Sequence, residues 1–305
     1  MDIERIEIIG GMGRDGRKET VERVTLAMGQ VASVIGPTGS GKTALITDIE
    51  LFASGGTPSG RKILINGEPP TEELIDRPST NPVAIITQHT NFLSDLPVDQ
   101  FLAIHSRTRG AGENSRLPEE TLDFANQLTG EPIAPKSPMT QLSGGQTRAL
   151  LIADAVVIGR SPILLLDEIE NAGINRARAL ELLKERRKIF IFVTHDPRIA
   201  LLSDLRVVME QGAMKLLIHT SAQEKALAAE IALVDAITQE LKTRLWRGEA
   251  LDSGPFPGAY GAASEKLAML SARFAPIATG GPKALEPDLI QRAAALGRIF
   301  MEAPK

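Results

Sequence analysis

The segment Gly36-Pro37-Thr38-Gly39-Ser40-Gly41-Lys42-Thr43 constrains this 305-residue chain more than any other. It fits the pattern G-x-x-x-x-G-K-[ST], and it lies between a uniformly apolar run at 31–35 and a helical pattern at 42–52, the setting that gives the pattern meaning. A loop with few Cβ atoms can turn its backbone N–H groups inward around phosphate oxygens, and the N-terminus of the following helix adds a positive dipole end. In that geometry Lys42 reaches the β- and γ-phosphates of a nucleotide, and the Thr43 hydroxyl is placed to hold Mg2+. Strand, loop and helix in this order call for an α/β sheet with the loop at the C-terminal end of a buried parallel strand.

Hydrophobic periodicity extends that expectation along the chain. Residues 3–9 alternate apolar and charged, and 21–28 read as an antiparallel companion strand. Further strands are expected at 62–66, 83–87, 163–166 and 189–193, and helices at 98–107, 119–128, 144–157, 176–185 and 197–202. The helices within about 89–160 form a helical insert. A hairpin at 205–209 and 214–219, turning at Gln211-Gly212, closes a first domain at residues 1–220. A long helix at 221–246 then carries Leu227, Ile231, Val234, Ile237, Leu241 and Leu245 as one apolar stripe. It opens a C-terminal helical extension, 221–305, interrupted by glycine- and proline-rich breaks at 254–261 and 276–287.

Composition narrows the partners. A net charge of -4 gives no general attraction to nucleic acid, and the absence of cysteine excludes disulfides and cysteine-ligated zinc. No apolar run approaches the roughly 18 residues that span a bilayer, and the acidic start Met1-Asp2-Ile3-Glu4 lacks the order of a secretory signal, so a cytoplasmic location is expected. The four histidines, His89, His105, His195 and His219, show no metal-ligand spacing.

Two more motifs bear on chemistry. Ile163-Leu164-Leu165-Leu166-Asp167-Glu168 is an apolar strand ending in two carboxylates, the way a sheet presents an acid to Mg2+ at its C-terminal edge. Leu142-Ser143-Gly144-Gly145-Gln146 is a second anion-binding helix start, a serine and two glycines ahead of a helix. With this pentapeptide the first 220 or so residues resemble the ATP-binding cassette (ABC) superfamily. The family's parts stand in order: Walker A at Gly36, glutamine loop at Gln88, signature at Leu142, Walker B at Asp167 and switch histidine at His195.

The resemblance implies a P-loop NTPase fold of ABC type, with a mostly parallel central sheet, an antiparallel β subdomain and the helical insert. It also implies ATP and Mg2+ as substrate and cofactor. ATP held by Gly36 to Thr43, with Thr87 among the nucleotide contacts, would be capped in trans by Ser143 and Gly145 of a second cassette, so that two nucleotides glue a homodimer or a pair with a second ABC subunit. Glu168 resembles the family's catalytic base, and His195 the clamp on the γ-phosphate. Gln88 resembles the residue that links Mg2+ and water to movements of the insert, completing a metal set of Thr43, Gln88 and Asp167.

The sequence also departs from the family. No Phe, Tyr or Trp precedes Gly36 to stack on adenine, and Arg14 is the candidate replacement, since a guanidinium plane stacks on π faces. After Glu168 the run Ile169-Glu170-Asn171-Ala172-Gly173-Ile174 replaces the family's Pro-Thr-Ser-Ala-Leu-Asp, so the aspartate that crosses the dimer is Ile174 here. Thr147-Arg148-Ala149 stands where a Gln-Arg pair is common, and Asp154 where arginine is. Gly11-Met12-Gly13-Arg14-Asp15-Gly16 matches G-x-G-x-x-G, but no acid follows at the distance a dinucleotide ribose needs, and it is read as a turn.

The leading functional expectation is the ATP-binding subunit of an ABC transporter, coupled through residues 89–109 to membrane permease subunits at the cytoplasmic face of the membrane. The alternative is a soluble ATPase that remodels or activates a cytosolic protein partner through its helical tail. Nucleic-acid maintenance is disfavoured for want of a coiled-coil insertion, a zinc cluster or a basic stripe.

Overall fold

Strands β6 (Ile163–Asp167) and β7 (Ile189–Val193) are apolar on both faces, and the fold follows from what covers each face. Leu164, Leu166, Phe190 and Phe192 point into one hydrophobic core, while Ile163, Leu165, Ile189, Ile191 and Val193 point into another. A sheet buried on both sides reads as continuous apolar runs, and β6 and β7 are both interior strands of it. The computed structural model describes residues 3–76, 81–87, 89–112, 115–167 and 176–249.

The main sheet has six strands in the order β5-β6-β7-β3-β8-β9, where β3 is Val31–Ile35, β5 is Val83–Ile86, β8 is Leu205–Glu210 and β9 is Ala213–His219. Every neighbouring pair is parallel except β8 with β9, the hairpin at the edge. Its turn residues Gln211 and Gly212 both have positive φ, 49° and 85°, as a tight two-residue hairpin turn requires. A second, antiparallel sheet has the order β2-β1-β4, with β1 at Arg5–Ile9, β2 at Arg23–Ala27 and β4 at Lys62–Ile65. Its inward residues Ile6, Ile8, Val24, Leu26, Ile63 and Ile65 join helix α1 (Lys42–Glu50) in the core over one face of the main sheet.

The opposite face is covered by the expected insert and the helix after β6. Helices α3 (Val98–Thr108), α4 (Leu117–Leu128) and α5 (Gly144–Val157) pack through Leu102, Phe124, Leu128, Leu150 and Ala153, together with α6 (Arg176–Glu185) through Leu180 and Leu183. A short helix α2 (Glu72–Asp76) and a 3-10 turn at Met139–Gln141 were not expected from periodicity, being too short to complete an apolar stripe. Helix α7 (Pro197–Leu202) follows β7 and is capped by the Asp196 side chain, which accepts from Arg198 N–H at 2.7 Å.

The chain divides into two units, Met1–Lys225 and Ala226–Lys305. In the first, the start of α8 (Ala222–Trp246) is tied down by Arg206 to Glu224 at 2.5 Å and by Lys225 to Asp204 at 2.8 Å, and Asp204 also accepts from the Val31 N–H at 2.9 Å. In the second, α8 runs as one helix to Trp246; of the expected stripe, Leu245 is exposed, and the side chains of Val234 and Ile237 lie outside the described residues. The two glycine- and proline-rich breaks also lie outside them. Among the described residues no helix is long and apolar enough to cross a membrane.

Candidate active site

Parallel pairing places the C-terminal ends of β5, β6, β7 and β3 side by side, so four segments far apart in sequence share one edge. Neighbouring strands lie about 4.8 Å apart. Across that edge come Thr87 after β5, Asp167 at the end of β6, His195 after β7 and the loop Gly36–Lys42 after β3. Asp167 is half-buried and pairs in register with Val193, and His195 is exposed between buried Thr194 and Asp196. Gln88 and Glu168, together with residues 169–174, lie outside the described residues. Thr87 is half-buried, and its hydroxyl pairs with that of Thr90 at 3.0 Å.

The loop after β3 has the shape that the sequence demands. Gly36 has φ 153°, and a Cβ there would lie 2.4 Å from the Met209 carbonyl oxygen; Gly41 has φ 101°, and its Cβ would lie 2.7 Å from the Gly212 Cα. Any side chain at Gly41 would meet both a strained backbone and the hairpin turn behind the loop. Lys42 is buried at 8% exposure, and its Nζ donates to the Gly36 carbonyl at 2.8 Å and the Pro37 carbonyl at 3.1 Å, which folds the ammonium back over the loop. Pro37, Thr38, Gly39 and Thr43 are exposed. The buried Ser40 Oγ has no hydrogen-bond partner among the described residues, and it lies 2.7 Å from where a Cβ at Gly36 would sit.

These residues fit a nucleotide phosphate with Mg2+. The glycine-lined turn, an orphaned hydroxyl and a folded-in ammonium suit phosphate oxygens, and the Thr43 hydroxyl with the Asp167 carboxylate makes an all-oxygen donor pair of the kind Mg2+ takes alongside phosphate and water. Among the described residues there is no group of three or more His, Cys, Asp or Glu that could hold a metal by itself.

The signature lies on another helix start. Ser143 caps α5, its Oγ accepting from Gln146 N–H at 3.3 Å, while the Gln146 Oε1 accepts from Ser143 N–H at 2.9 Å, a complete capping box. Ser143 and Gly144 are exposed, Leu142, Gly145 and Gln146 half-buried.

A family profile described as ABC transporter matches residues 22–171. An uncharacterized ABC transporter ATP-binding protein of Methanocaldococcus jannaschii is 45% identical over 251 residues, covering 82% of this chain and 96% of that one. The chain belongs to the ABC transporter ATP-binding family. It is an ATP hydrolase of the ABC type, and the match is longer than residues 1–220, so it takes in part of the C-terminal extension. Two solved structures share the fold of this ABC ATPase. CbiO1 of Clostridium perfringens, part of the ABC transporter complex CbiONQ, has a TM-score of 0.56 at 22% identity, covering 79% of this chain and 97% of that one. An ATP-binding cassette in a dimeric post-hydrolysis state, bound to ADP and Pi, has a TM-score of 0.52 at 20% identity, covering 71% and 99%.

Behind the phosphate loop of this ABC ATPase lies a buried cluster that motif reading passed over. Arg61, fully buried, reaches Glu19 with Nε and Nη2, Asp48 with Nη1 at 2.9 Å and the Gly212 carbonyl with Nη2 at 2.7 Å. Glu19 accepts in turn from Gly11 N–H at 2.8 Å and Met214 N–H at 2.6 Å, and Asp48 from Ser59 Oγ at 2.8 Å. Burial alone would lower the Arg61 pKa, but Glu19 and Asp48 outweigh it and hold the guanidinium above its ordinary value. The signal in the sequence was Asp48, a charge among the inward positions Leu45, Ile46 and Ile49 of a helix otherwise apolar on that side.

The Gly11–Gly16 motif is the tight turn expected of it: Gly13 N–H donates to the Arg17 carbonyl at 2.9 Å and Gly16 N–H to the Gly13 carbonyl at 3.0 Å. Arg14 is exposed, its N–H donates to the Gln211 carbonyl at 2.9 Å, and its side chain runs across Gly212. Asp154, the departure within α5, has a partner: its Oδ1 lies 2.7 Å from the His105 Nδ1 on α3. His105 thus joins the signature helix to the outer part of the insert.

Proposed function

We propose that this ABC ATPase binds MgATP between two cassettes arranged head to tail, in a homodimer or with a second ABC subunit, and that its hydrolysis drives membrane permease subunits. The observation that carries this reading is the strand order, which aligns the phosphate loop, Asp167 and His195 on one sheet edge. The capped start of α5 offers a separate, exposed anion seat for a nucleotide brought by a partner. The ABC transporter family that the chain matches and the transporter complex of which CbiO1 is part support the permease over the soluble remodelling alternative.

In this reading the N–H groups of Gly36 to Thr43 and the Lys42 ammonium hold the β- and γ-phosphates, Thr43, Asp167 and Gln88 hold Mg2+, and Thr87 lines the nucleotide. The bound Mg2+ supplies charge neutralisation on the phosphate oxygens. Glu168 orients the attacking water and takes its proton, His195 fixes the γ-phosphate relative to Glu168, and Ser143 with Gly145, flanked by Leu142, Gly144 and Gln146, caps the γ-phosphate of the opposite site. Arg14, lying over the turn behind Gly41, stacks on the adenine. The insert face at 89–109, where Leu93 is fully exposed and Ile104 is 43% exposed, is the coupling surface, and the assembly works at the cytoplasmic face of the membrane.

The test is the Glu168→Gln variant with saturating MgATP. A dimer in size analysis, together with near-complete loss of phosphate release, supports the shared site, and a monomer at saturation overturns it. Recovery of a detergent-solubilised membrane protein with the trapped cassette supports the permease; recovery of a soluble companion alone overturns it.

A further inference from the structure

We infer that Glu131 is an intramolecular competitor for the γ-phosphate at the signature, and so sets how much ATP is needed to close the dimer; this rests on the shared-site reading above. The Ser143 Oγ donates to the Glu131 Oε2 at 3.2 Å, which brings a carboxylate to the start of α5. The placement is built rather than incidental. Gln146, already fixed by the capping box, donates from its Nε2 to the Glu131 carbonyl at 3.4 Å and the Pro132 carbonyl at 3.1 Å. One residue further on, buried Ile133 is pinned to Asn126, donating its N–H to the Asn126 Oδ1 at 2.7 Å and accepting from the Asn126 Nδ2 at 3.4 Å. The backbone at 131–133 is therefore held against the signature helix, while the Glu131 side chain is exposed and able to swing.

The chemistry then forces an exchange. A serine hydroxyl carries one proton, so the Ser143 Oγ cannot donate to a carboxylate and a phosphate oxygen together. Both anions also seek the same positive helix end, and side by side they repel. A γ-phosphate arriving from the opposite cassette has to displace Glu131. A nucleoside diphosphate brings nothing to that seat and leaves the Glu131 contact in place. Glu131 thus holds the cassette open against partial loading and makes closure depend on the triphosphate.

The experiment compares Glu131→Gln and Glu131→Ala with the parent, each in the Glu168→Gln background, by following dimer formation in sedimentation velocity as MgATP is titrated. Both variants are expected to lower the half-maximal MgATP concentration about fivefold, the size of an exposed hydrogen-bond and helix-dipole contribution. The gap should narrow at high salt. ATP affinity at the phosphate loop, measured with a fluorescent ATP analogue at protein concentrations too low to dimerise, is expected to be the same in all three, which a merely structural lesion would not leave intact. Coincident midpoints, or weaker dimerisation in both variants, overturn the inference and leave the shared site standing. No dimer in any of the three overturns the shared site and the inference with it.

Discussion

The backbone N–H of Gly212 donates to the carbonyl of Ser40 at 2.8 Å, so the turn of the last hairpin is hydrogen-bonded to the phosphate loop from behind. The Gly212 carbonyl accepts from Arg61 at 2.7 Å, and one residue therefore connects the loop to a buried guanidinium. We expect this short path to make Arg61 a positioning residue for the proposed nucleotide site. Arg61→Ala would leave the Glu19 and Asp48 carboxylates buried without their cation, a loss of about 3–5 kcal/mol. A lowered urea midpoint is expected, with a raised KM for ATP that persists at temperatures where the variant is fully folded; an unchanged KM there would confine Arg61 to stability.

Gly41→Ala separates loop geometry from overall stability. Alanine at φ 101° would cost about 1–2 kcal/mol and would press on the Gly212 Cα. The far-UV spectrum should stay that of the parent while ATP affinity falls more than tenfold, read by equilibrium binding.

Arg14 gives a test of how the base is held. Its exposed side chain crosses Gly212, next to the turn that backs Gly41. Arg14→Ala is expected to weaken ATP binding about three- to tenfold, the size of a cation–π stack, and to leave binding of inorganic triphosphate unchanged. Equal affinity for ATP in parent and variant removes Arg14 from the base site.

Lys188 predicts a pH dependence. Burial, with Arg186 and Arg160 nearby, pushes its amine from the ordinary 10.5 down to about 8, while its Nζ donates to the Ser161 carbonyl at 2.8 Å. A depressed folded pKa means that the unfolded chain binds the extra proton between these values, so this group makes stability rise with pH from about 8 to 10.5 and gives its full penalty below 8. Lys188→Gln should raise the thermal midpoint at pH 7, and its advantage should shrink as the pH approaches 10.

Much of this was legible in the sequence because the chain is locally consistent. The apolar runs at β3, β6 and β7 are short and bounded by charges or glycine, as strands buried on both faces are, and the glycines of the loop after β3 stand where its backbone takes positive φ. The hairpin at Gln211-Gly212 was visible as turn chemistry, but its position behind Ser40 was not, since periodicity fixes what a strand is and leaves open which segment its turn meets. Arg61 and Glu19 were missed because each looks like an ordinary surface charge until the antiparallel sheet closes over them, and Asp48, though set among inward apolar positions, carries no sign of which partners it meets. Glu131 was missed for the same kind of reason: its contact with Ser143 is set by how Asn126 and Gln146 hold the backbone between them.

Arg61 also bears on where this engine can flex. Through buried atoms it locks together the turn before β2, helix α1, the start of β4 and the final hairpin. Sliding any of these past the others would strand charge out of reach of water, so the frame behind the nucleotide is stiff. A stiff frame transmits force without absorbing it, so in the proposed closure of two cassettes the compliance has to come from outside this cluster.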